Sequence, residues 1–365
     1  MSINTAYKPL DFAAIGHQDN WQNIESFING IRTTEFGKLP QEKIREIFGF
    51  IPPCEIFKMK VRSKTGREIN GVYIETFIDP DKLDAQHLRA NINKVTKAID
   101  VAHKLNAKIV ALGGFTSIVL EGNFSTFTNA EMKLTTGNTL TSAYILKGIE
   151  KAAEQFQLDL KKCHVLIIGA TGDIGLACTH YLKDKVNQLL LCARNKKRLE
   201  TLAGELLAQH IRFSVDTCLE NLIPEADIII SVASSKGIEI TKTKKNAIIC
   251  DAGYPKNLEQ NIEQYDDVFL FHGGMGQIPY GYDFEPDYSN HFYQYPSPYI
   301  GHGCVLEAIV LAFENKFENY SFGKGNIINS KIDEIYALSL KHGLEIAPFY
   351  NSQGLWQKQF NKELE

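Results

Sequence analysis

The chain has 365 residues, of which 44% are hydrophobic and 22% are charged, and its formal net charge is −4. This length and composition predict a soluble globular protein of two domains, or of one domain with a large extension. The charge disfavours nucleic acid and anionic membranes as partners, and no apolar run approaches the ~18 residues of a transmembrane helix. The N-terminus lacks signal-peptide form, and the seven cysteines are scattered without CxxC spacing. The sequence therefore predicts a reduced, cytoplasmic protein without a metal-ligand cluster.

Residues 1–158 lack a nucleotide-binding signature, and their alternating apolar pattern predicts an α/β domain on the substrate side of the protein. Its elements are predicted from apolar periodicity and from glycine-containing turns. They are a strand at Phe12–Ile15, a helix at Trp21–Ile31, a hairpin of Cys54–Arg62 and Ile69–Phe77, a helix over 80–105, a strand at Lys108–Leu112 and a helix at Leu140–Phe156.

Two polar loops in this region are candidate ligand-binding segments. Gly113–Ser117 follows a predicted strand, and Leu134–Thr139 precedes a predicted helix. Hydroxyls and glycines at such positions suit a ligand face, and Thr116, Ser117 and Asn138 are the candidate hydrogen-bond donors. A plain turn explains the first loop almost as well, and helix capping explains part of the second.

Residues 159–300 are predicted to form a nucleotide-binding domain around a glycine-rich turn. Apolar residues fill 165–168, as in a parallel strand covered on both faces, and a helix is predicted over Leu176–Lys185. Glycines between them permit a sharp turn, close approach of a pyrophosphate and tight helix packing. The alternative is a purely structural turn. The candidate cofactor-binding residues here are Gly169, Thr171, Gly172, Asp173, Ile174 and Gly175.

The end of the next strand, Gln188–Ala193, favours NADP(H) over NAD(H). An NAD site usually has a carboxylate at this point to accept a hydrogen bond from the ribose 2′-OH. This chain has Arg194 and Asn195 instead, with no carboxylate before Glu200. A guanidinium can hold the extra 2′-phosphate bidentately. A solvated basic helix start is the alternative interpretation.

Further strands complete a doubly wound parallel sheet, so that the predicted fold class is α/β with a Rossmann domain. Ligands bind at the carboxyl ends of such strands, where Ser234, Gly253 and Tyr254 are further candidates for cofactor contact. Asp251 is equally consistent with a cap or a turn. The remaining strands are predicted at Ile211–Val215, Asp227–Val232, Ala247–Asp251 and Val268–His272.

The segment 276–303 is unusually rich in tyrosine, phenylalanine and proline. Long loops of this kind usually have a function or cover another surface. A lid over an apolar substrate and an oligomer contact are equally consistent with the composition.

Residues 301–365 are predicted to form a C-terminal helical segment that carries a nucleophile. Cys304 begins an apolar helix after Gly301-His302-Gly303, and a second helix is predicted over Ser330–His342, with 351–365 fraying. Free N–H groups and the dipole at a helix start favour a thiolate, and His302 could exchange protons with it. A structural cysteine is the alternative.

Together, these segments resemble the long-chain acyl-[acyl-carrier-protein] reductases best known from cyanobacteria, over nearly the whole chain. The family's acyl-accepting cysteine matches Cys304, which is followed by Glu307, Ala308, Leu311, Phe313 and Glu314 in the family's spacing. The other matching segments are Ile15-Gly16-His17, Thr65-Gly66, Tyr73-Ile74-Glu75, Ala111–Ile118, Thr135–Thr139, Gly169–Gly175, Ala193-Arg194-Asn195 and Gly253–Asn257.

The resemblance implies reduction of a long-chain fatty acyl thioester to a fatty aldehyde by NADPH, through an acyl-enzyme on Cys304. Catalytic candidates are Cys304, His302 and Ser117. Backbone N–H groups at the start of the Cys304 helix are the first candidates for stabilising the oxyanion. The acyl donor is acyl-carrier protein or acyl-coenzyme A, and an aldehyde-using enzyme is a possible downstream partner. The length of the acyl chain and the identity of the carrier stay open because Gly301-His302-Gly303 and the tyrosine-rich segment depart from the family pattern.

Two other functions are consistent with parts of the sequence. An NADP-dependent dehydrogenase of a small hydroxy or amino acid would use the polar loops and would need no cysteine. A non-catalytic nucleotide-binding protein would use the aromatic segment as an interface.

Overall fold

The protein is described by a computed structural model that covers residues 10–32, 37–84, 86–120, 132–235, 237–254, 256–258, 267–289, 295–322 and 325–356. The chain forms two compact units, and each is assembled from separate segments. Unit 1 comprises Met1–Thr141, Ile278–Gln294 and Gly301–Glu345, whereas unit 2 comprises Ser142–Gln277, Tyr295–Ile300 and Ile346–Glu365. The boundaries of these two units differ from the domain boundaries predicted after residues 158 and 300.

The strands of the described chain are β1 (Phe12–Gly16), β2 (Cys54–Arg62), β3 (Glu68–Glu75), β4 (Ile109–Leu112), β5 (Lys133–Thr135), β6 (His164–Ile168), β7 (Gln188–Cys192), β8 (Phe213–Asp216), β9 (Ile228–Ser231), β10 (Ile248–Asp251), β11 (Phe269–His272), β12 (Met275–Gln277), β13 (Tyr282–Glu285), β14 (Ile300–His302), β15 (Glu345–Ile346), β16 (Tyr350–Asn351) and β17 (Gly354–Leu355). The helices are α1 (Trp21–Ile31), α2 (Gln41–Phe48), α3 (Leu88–Lys104), α4 (Phe115–Leu120), α5 (Asn138–Gln155), α6 (Asp173–Leu182), α7 (Lys196–Ala208), α8 (Gly303–Phe313) and α9 (Asn329–Lys341). No helix among the described residues is long and apolar enough to span a membrane.

Unit 1 contains a mixed sheet of strand order β13-β2-β3-β1-β4-β5. The strands β3, β1, β4 and β5 run parallel, and β2 and β13 extend the sheet in antiparallel fashion. Strand β1 is apolar and almost fully buried because helices cover the sheet. Helix α8 contacts β1, β3, β4 and β5, which brings its first residues to the sheet.

Unit 2 contains a parallel sheet of order β11-β10-β9-β6-β7-β8. In order of appearance this is the doubly wound 3-2-1-4-5-6 arrangement, so the predicted Rossmann domain is confirmed. Its inner strands are continuous runs of buried isoleucine and leucine, as expected where helices cover both faces. Strand order reverses between β6 and β9, which is where such folds bind ligands.

Several local predictions were wrong. The long helix predicted over 80–105 begins only at Leu88, and Pro80–Lys82 forms a separate 3₁₀ turn. Helices α2 and α4 and strand β5 were not predicted, whereas α7 begins at the basic residues where a helix start was the alternative interpretation. Part of the tail predicted to fray, around Tyr350–Leu355, forms the hairpin of β16 and β17, whereas 357–365 lie outside the described residues.

The aromatic segment supplies an edge strand to unit 1. Strand β13 pairs with β2, and the ring of Phe284 lies 4.4 Å from that of Phe57, measured between centroids. Residues 290–294 of this segment lie outside the described residues. Within the described part of the segment, Tyr282–Glu285 is the strand that joins this sheet. A lid or an oligomer contact stays a prediction.

Candidate active site

The glycine-rich turn of unit 2 has the close contacts that a pyrophosphate-binding loop needs. Gly169 has a left-handed φ of +87°, and a β-carbon at residue 175 would lie 2.2 Å from the Gly169 carbonyl oxygen. Gly172 is the N-cap of α6, where the first helical N–H groups lack helical acceptors. Thr171, Asp173 and Ile174 are all partly exposed around this start. The turn therefore leaves backbone donors accessible to an anion.

Strand β7 leads to the residues that were predicted to select the cofactor. Arg194 is exposed directly after the strand. Asn195 caps α7, since its Oδ1 accepts a hydrogen bond from the Arg198 N–H at 3.0 Å. Arg194 is therefore available to a ligand phosphate, whereas the Asn195 side chain has a structural role.

The loop after β10 is organised by a buried carboxylate that sequence reasoning treated only as a cap or a turn. Asp251 is 1% exposed, and its oxygens accept N–H groups from Gly253 at 3.2 Å, Asn257 at 3.2 Å and Leu258 at 2.9 Å. This arrangement fixes Gly253 and its partly exposed neighbour Tyr254 at the carboxyl end of the strand.

Asn257 connects that loop to the end of the neighbouring strand β9. Its Oδ1 accepts from the Ser231 hydroxyl at 2.6 Å, and its Nδ2 donates to the Ala233 carbonyl at 3.0 Å. A β-carbon at residue 253 would lie 2.2 Å from the same Oδ1, so glycine is required there. Ser234 is exposed beside this contact. The sequence signal for Asn257 was its place in the Gly253–Asn257 motif.

Cys304 lies in unit 1 at the carboxyl ends of the parallel strands. It is the second residue of α8 and is partly exposed. A β-carbon at Gly113, after β4, would lie 3.7 Å from the Cys304 sulfur, and one at Gly137, after β5, would lie 2.0 Å from the Cys304 Cα. Both glycine loops predicted to bind a ligand therefore meet at this cysteine.

The Cys304 thiol is protonated at neutral pH in this arrangement. Burial, with a smaller contribution from the Glu307 charge, raises its pKa to about 11. Backbone N–H groups of Gly114, Val305 and Cys304 itself point to the sulfur and oppose this shift. The helix start thus supplies the expected donors, but desolvation outweighs them. A nucleophilic role for this sulfur would require loss of the thiol proton.

Glu307 is a buried carboxyl group near Cys304 to which the sequence analysis gave no role. It is fully buried in α8, and it accepts hydrogen bonds from the Thr135 hydroxyl at 2.5 Å and from the Leu140 N–H at 2.8 Å. Burial raises its pKa. Its carboxyl group joins the Cys304 helix to the loop after β5, and the signal available in the sequence was its spacing from Cys304.

The other predicted catalytic residues also lie in unit 1. His302 is the N-cap residue of α8, is partly exposed, and does not cap the helix with its side chain. The Ser117 hydroxyl donates to the Gly114 carbonyl at 2.8 Å within the first turn of α4. Thr116 donates likewise to Gly113. Both hydroxyls therefore donate to carbonyl groups of their own turn, which fits the plain turn that was the alternative interpretation of this loop.

Comparison with known proteins found a match to the Rossmann domain and several relatives. Residues 150–272 match the shikimate / quinate 5-dehydrogenase family. Two relatives match parts of their own lengths. Aminotransferase PigE of a Serratia strain is 28% identical over 79% of this chain and 34% of that protein, and glutamyl-tRNA reductase of Pasteurella multocida is 28% identical over 37% and 33%.

A third relative matches from end to end. The long-chain acyl-[acyl-carrier-protein] reductase of Synechococcus elongatus is 32% identical over 347 residues, which are 92% of this chain and 98% of that protein. The match includes both the nucleotide-binding unit and the cysteine site. The protein is therefore an oxidoreductase with a Rossmann domain that belongs to the long-chain acyl-[acyl-carrier-protein] reductase family.

Proposed function

We propose that the protein reduces a long-chain fatty acyl thioester to a fatty aldehyde with NADPH, through an acyl-enzyme on Cys304. The observation that carries this proposal is the position of the Cys304 sulfur. The sulfur lies at a helix start and faces backbone N–H groups; the Gly113 loop approaches the sulfur, and the Gly137 loop approaches the backbone of Cys304. Such a site suits attack on a carbonyl carbon followed by stabilisation of the oxygen.

In the first stage, the acyl group moves from the carrier to the enzyme. The Cys304 sulfur forms a bond to the thioester carbon, the carbonyl electron pair moves onto oxygen, and the carbon–sulfur bond to the carrier then breaks. The proton lost by Cys304 ends on the released carrier thiol. His302, two residues before Cys304 at the helix start, is our candidate for transferring this proton. The new thioester keeps the carbonyl carbon electrophilic.

The second stage uses the nucleotide-binding unit. The glycine turn of Gly169–Gly175 fits a pyrophosphate because its backbone is accessible and β-carbons are excluded by close contacts. Arg194 fits the 2′-phosphate of NADPH, since it is exposed where a carboxylate would otherwise repel that phosphate. NADPH, when bound, would supply a hydride to the acyl carbon; the carbon–sulfur bond to Cys304 then breaks, the aldehyde leaves, and the cysteine sulfur takes up a proton from solvent.

This proposal gives each part of the chain a separate task. The N-terminal sheet and the Cys304 helix bind and hold the acyl group, and the Rossmann domain binds the cofactor. Acyl-carrier protein is the proposed acyl donor, with acyl-coenzyme A as the alternative to be compared. We place the reaction in the cytoplasm, and an aldehyde-consuming enzyme would act next.

The test is intact-protein mass after incubation with a long-chain acyl-carrier protein or acyl-coenzyme A, first without and then with NADPH. We expect a mass gain equal to the acyl group, which disappears when NADPH is added and which is absent in Cys304→Ser. Cys218→Ser is the matched control, since Cys218 is exposed in unit 2, and it should acylate like the unmodified protein.

Two outcomes would overturn the proposal. Aldehyde formation by Cys304→Ser at an undiminished rate would exclude the covalent route and leave direct hydride transfer to the bound thioester. Binding of NADPH without an adduct or turnover on either acyl donor would favour the non-catalytic alternative.

A further inference from the structure

The loop between β4 and α4 presents one backbone N–H group to the Cys304 sulfur. The Gly113 N–H donates to the Ile15 carbonyl at 2.9 Å, and the Phe115 N–H donates to Nε2 of His17 at 3.1 Å. Between these two, the Gly114 N–H points to the sulfur of Cys304. The two outer contacts fix the plane of the loop, and the middle donor faces the reacting atom.

His17 can accept this hydrogen bond only in one neutral form. Its Nδ1 lies 3.1 Å from the Gln18 carbonyl oxygen, which can only accept, so Nδ1 carries the proton. Nε2 is then left with a lone pair for the Phe115 N–H. The ring is 4% exposed, and burial lowers its pKa, which keeps it neutral. A protonated ring would lose the acceptor.

The residue after His17 is anchored to β3 through a buried carboxylate. The Gln18 Nε2 donates to Oε2 of Glu75 at 3.0 Å, and the Tyr73 hydroxyl donates to the same oxygen at 2.9 Å. The other oxygen accepts the Phe77 N–H at 3.1 Å. Glu75 is fully buried. The segment that contains His17 is therefore held to strand β3 by this carboxylate.

The side-chain hydroxyls of the same loop do not compete for this task. Thr116 and Ser117 each donate at 2.8 Å to carbonyl groups of their own turn. Gly114 has a left-handed φ of +55°, a conformation that directs its N–H group and that L side chains rarely adopt. The loop thus offers a backbone donor rather than a hydroxyl.

We propose that His17 is a positioning residue, which holds the Gly113–Phe115 loop so that the Gly114 N–H, together with the Cys304 N–H, forms the oxyanion hole. The inference rests on the proposed function. When the Cys304 sulfur bonds to the thioester carbon, the carbonyl electron pair moves onto oxygen. These two N–H groups then donate hydrogen bonds to that oxygen. The electron pair on oxygen forms the carbonyl double bond again when the carbon–sulfur bond to the carrier breaks.

The experiment compares His17→Leu with His17→Gln in the full-length protein. Leucine removes the acceptor, whereas the glutamine oxygen can reach the position of Nε2. Single-turnover acylation is followed by intact mass without NADPH, and the carbonyl band of a ¹³C-labelled acyl-enzyme is recorded by infrared difference spectroscopy. His87→Leu, which removes a half-buried imidazole from the same unit, is the matched control.

We expect His17→Leu to slow acylation by about 10²-fold, the usual effect of losing one oxyanion donor, with little change in the half-saturating concentration of acyl donor. Its acyl-enzyme carbonyl band should move to higher wavenumber. His17→Gln should stay within a few-fold of the unmodified protein in rate and keep the band position.

Each result has a distinct meaning. An unmodified protein that forms no adduct contradicts the proposed function itself. An unmodified protein and His17→Leu that acylate at the same rate, with the same band, overturn the role of His17 alone. If His17→Leu loses its cooperative unfolding transition, His17→Gln is compared with His17→Asn, whose shorter side chain does not reach. Equal acylation rates in that pair would also overturn the inference.

Discussion

Gly137 and Cys304 are in direct backbone contact. A β-carbon at residue 137 would lie 2.0 Å from the Cys304 Cα and 2.4 Å from its carbonyl oxygen. Gly137 also has a left-handed φ of +69°. The loop after β5 therefore accepts only glycine here, and this contact sets how closely that loop approaches the nucleophile.

Substitution of Gly137 tests this contact. We expect Gly137→Ala to lower the free energy of unfolding by more than about 3 kcal/mol and to reduce Cys304 acylation, because backbone strain and a backbone clash coincide. Gly66→Ala is the control, since Gly66 has a φ of +80° with nothing within 4 Å of a β-carbon. It should lose only about 1 kcal/mol. Equal losses in urea unfolding would show that the contact with Cys304 is unimportant.

Glu307 should make stability depend on pH in a definite direction. Burial raises its folded pKa above the ordinary value of 4.5, so the folded state retains the proton longer than the unfolded state. Its contribution to stability is therefore present at low pH and is lost as the pH rises above 4.5.

The variant Glu307→Gln removes that titration. At pH 5 it should be destabilised by about 1–3 kcal/mol, because an amide N–H₂ group would face the donors Thr135 or Leu140. The difference from the unmodified protein should shrink by pH 8. Urea unfolding at pH 5 and at pH 8 measures this difference in the free energy of unfolding. Glu42→Gln, at an exposed glutamate, is the control. A difference that grows with pH would contradict this assignment.

The protonated state of Cys304 predicts its reactivity. Because the pKa is about 11, the thiolate fraction at lower pH rises about tenfold with each unit by which the pH is raised. Alkylation by iodoacetamide, followed at the Cys304 peptide by mass spectrometry, should rise about tenfold per unit from pH 7 to 10. A plateau below pH 9 would mean that the helix start outweighs burial.

Arg194 should control the choice between the two nicotinamide cofactors. Arg194→Ala removes a charged partner of the 2′-phosphate, and we expect NADPH affinity to fall about tenfold or more, with NADH affinity unchanged. Fluorescence titration measures both. Lys197→Ala, an exposed cation in the first turn of α7, is the control. An equal loss of affinity for both cofactors would mean that Arg194 contacts a part of the nucleotide other than the 2′-phosphate.

Helices and strands whose apolar residues recur at a regular spacing were predictable from the sequence. Helix Trp21–Ile31 and strand Cys54–Arg62 have the predicted bounds, and the Rossmann strands lie within two residues of theirs. Their apolar patterns are long enough, or sufficiently bounded by turn residues, to specify one structure. Strand β5 has three residues and α4 has six, so neither has room for a period, and tertiary packing determines them.

The candidate site was predictable in its residues but not in its electrostatics. The position of Cys304 before an apolar helix and the glycines of the two loops were visible in the sequence. The sequence could not show that burial would raise the thiol pKa, because that depends on what packs around α8. For the same reason it gave no role to Glu307 or His17, whose effects arise from contacts with residues far along the chain.

The pairing of β13 with β2 has a consequence for biosynthesis. The Arg62 side chain contacts Asp283, which lies 221 residues later. Until the ribosome has made β13, the outer edge of β2 has no neighbouring strand, and an unpaired edge is a site for association with other chains. The whole Rossmann sheet is translated during that interval, and the Cys304 helix only afterwards. Nascent chains released before residue 282 would thus combine all six strands of the Rossmann sheet with an open edge on β2 and no nucleophile.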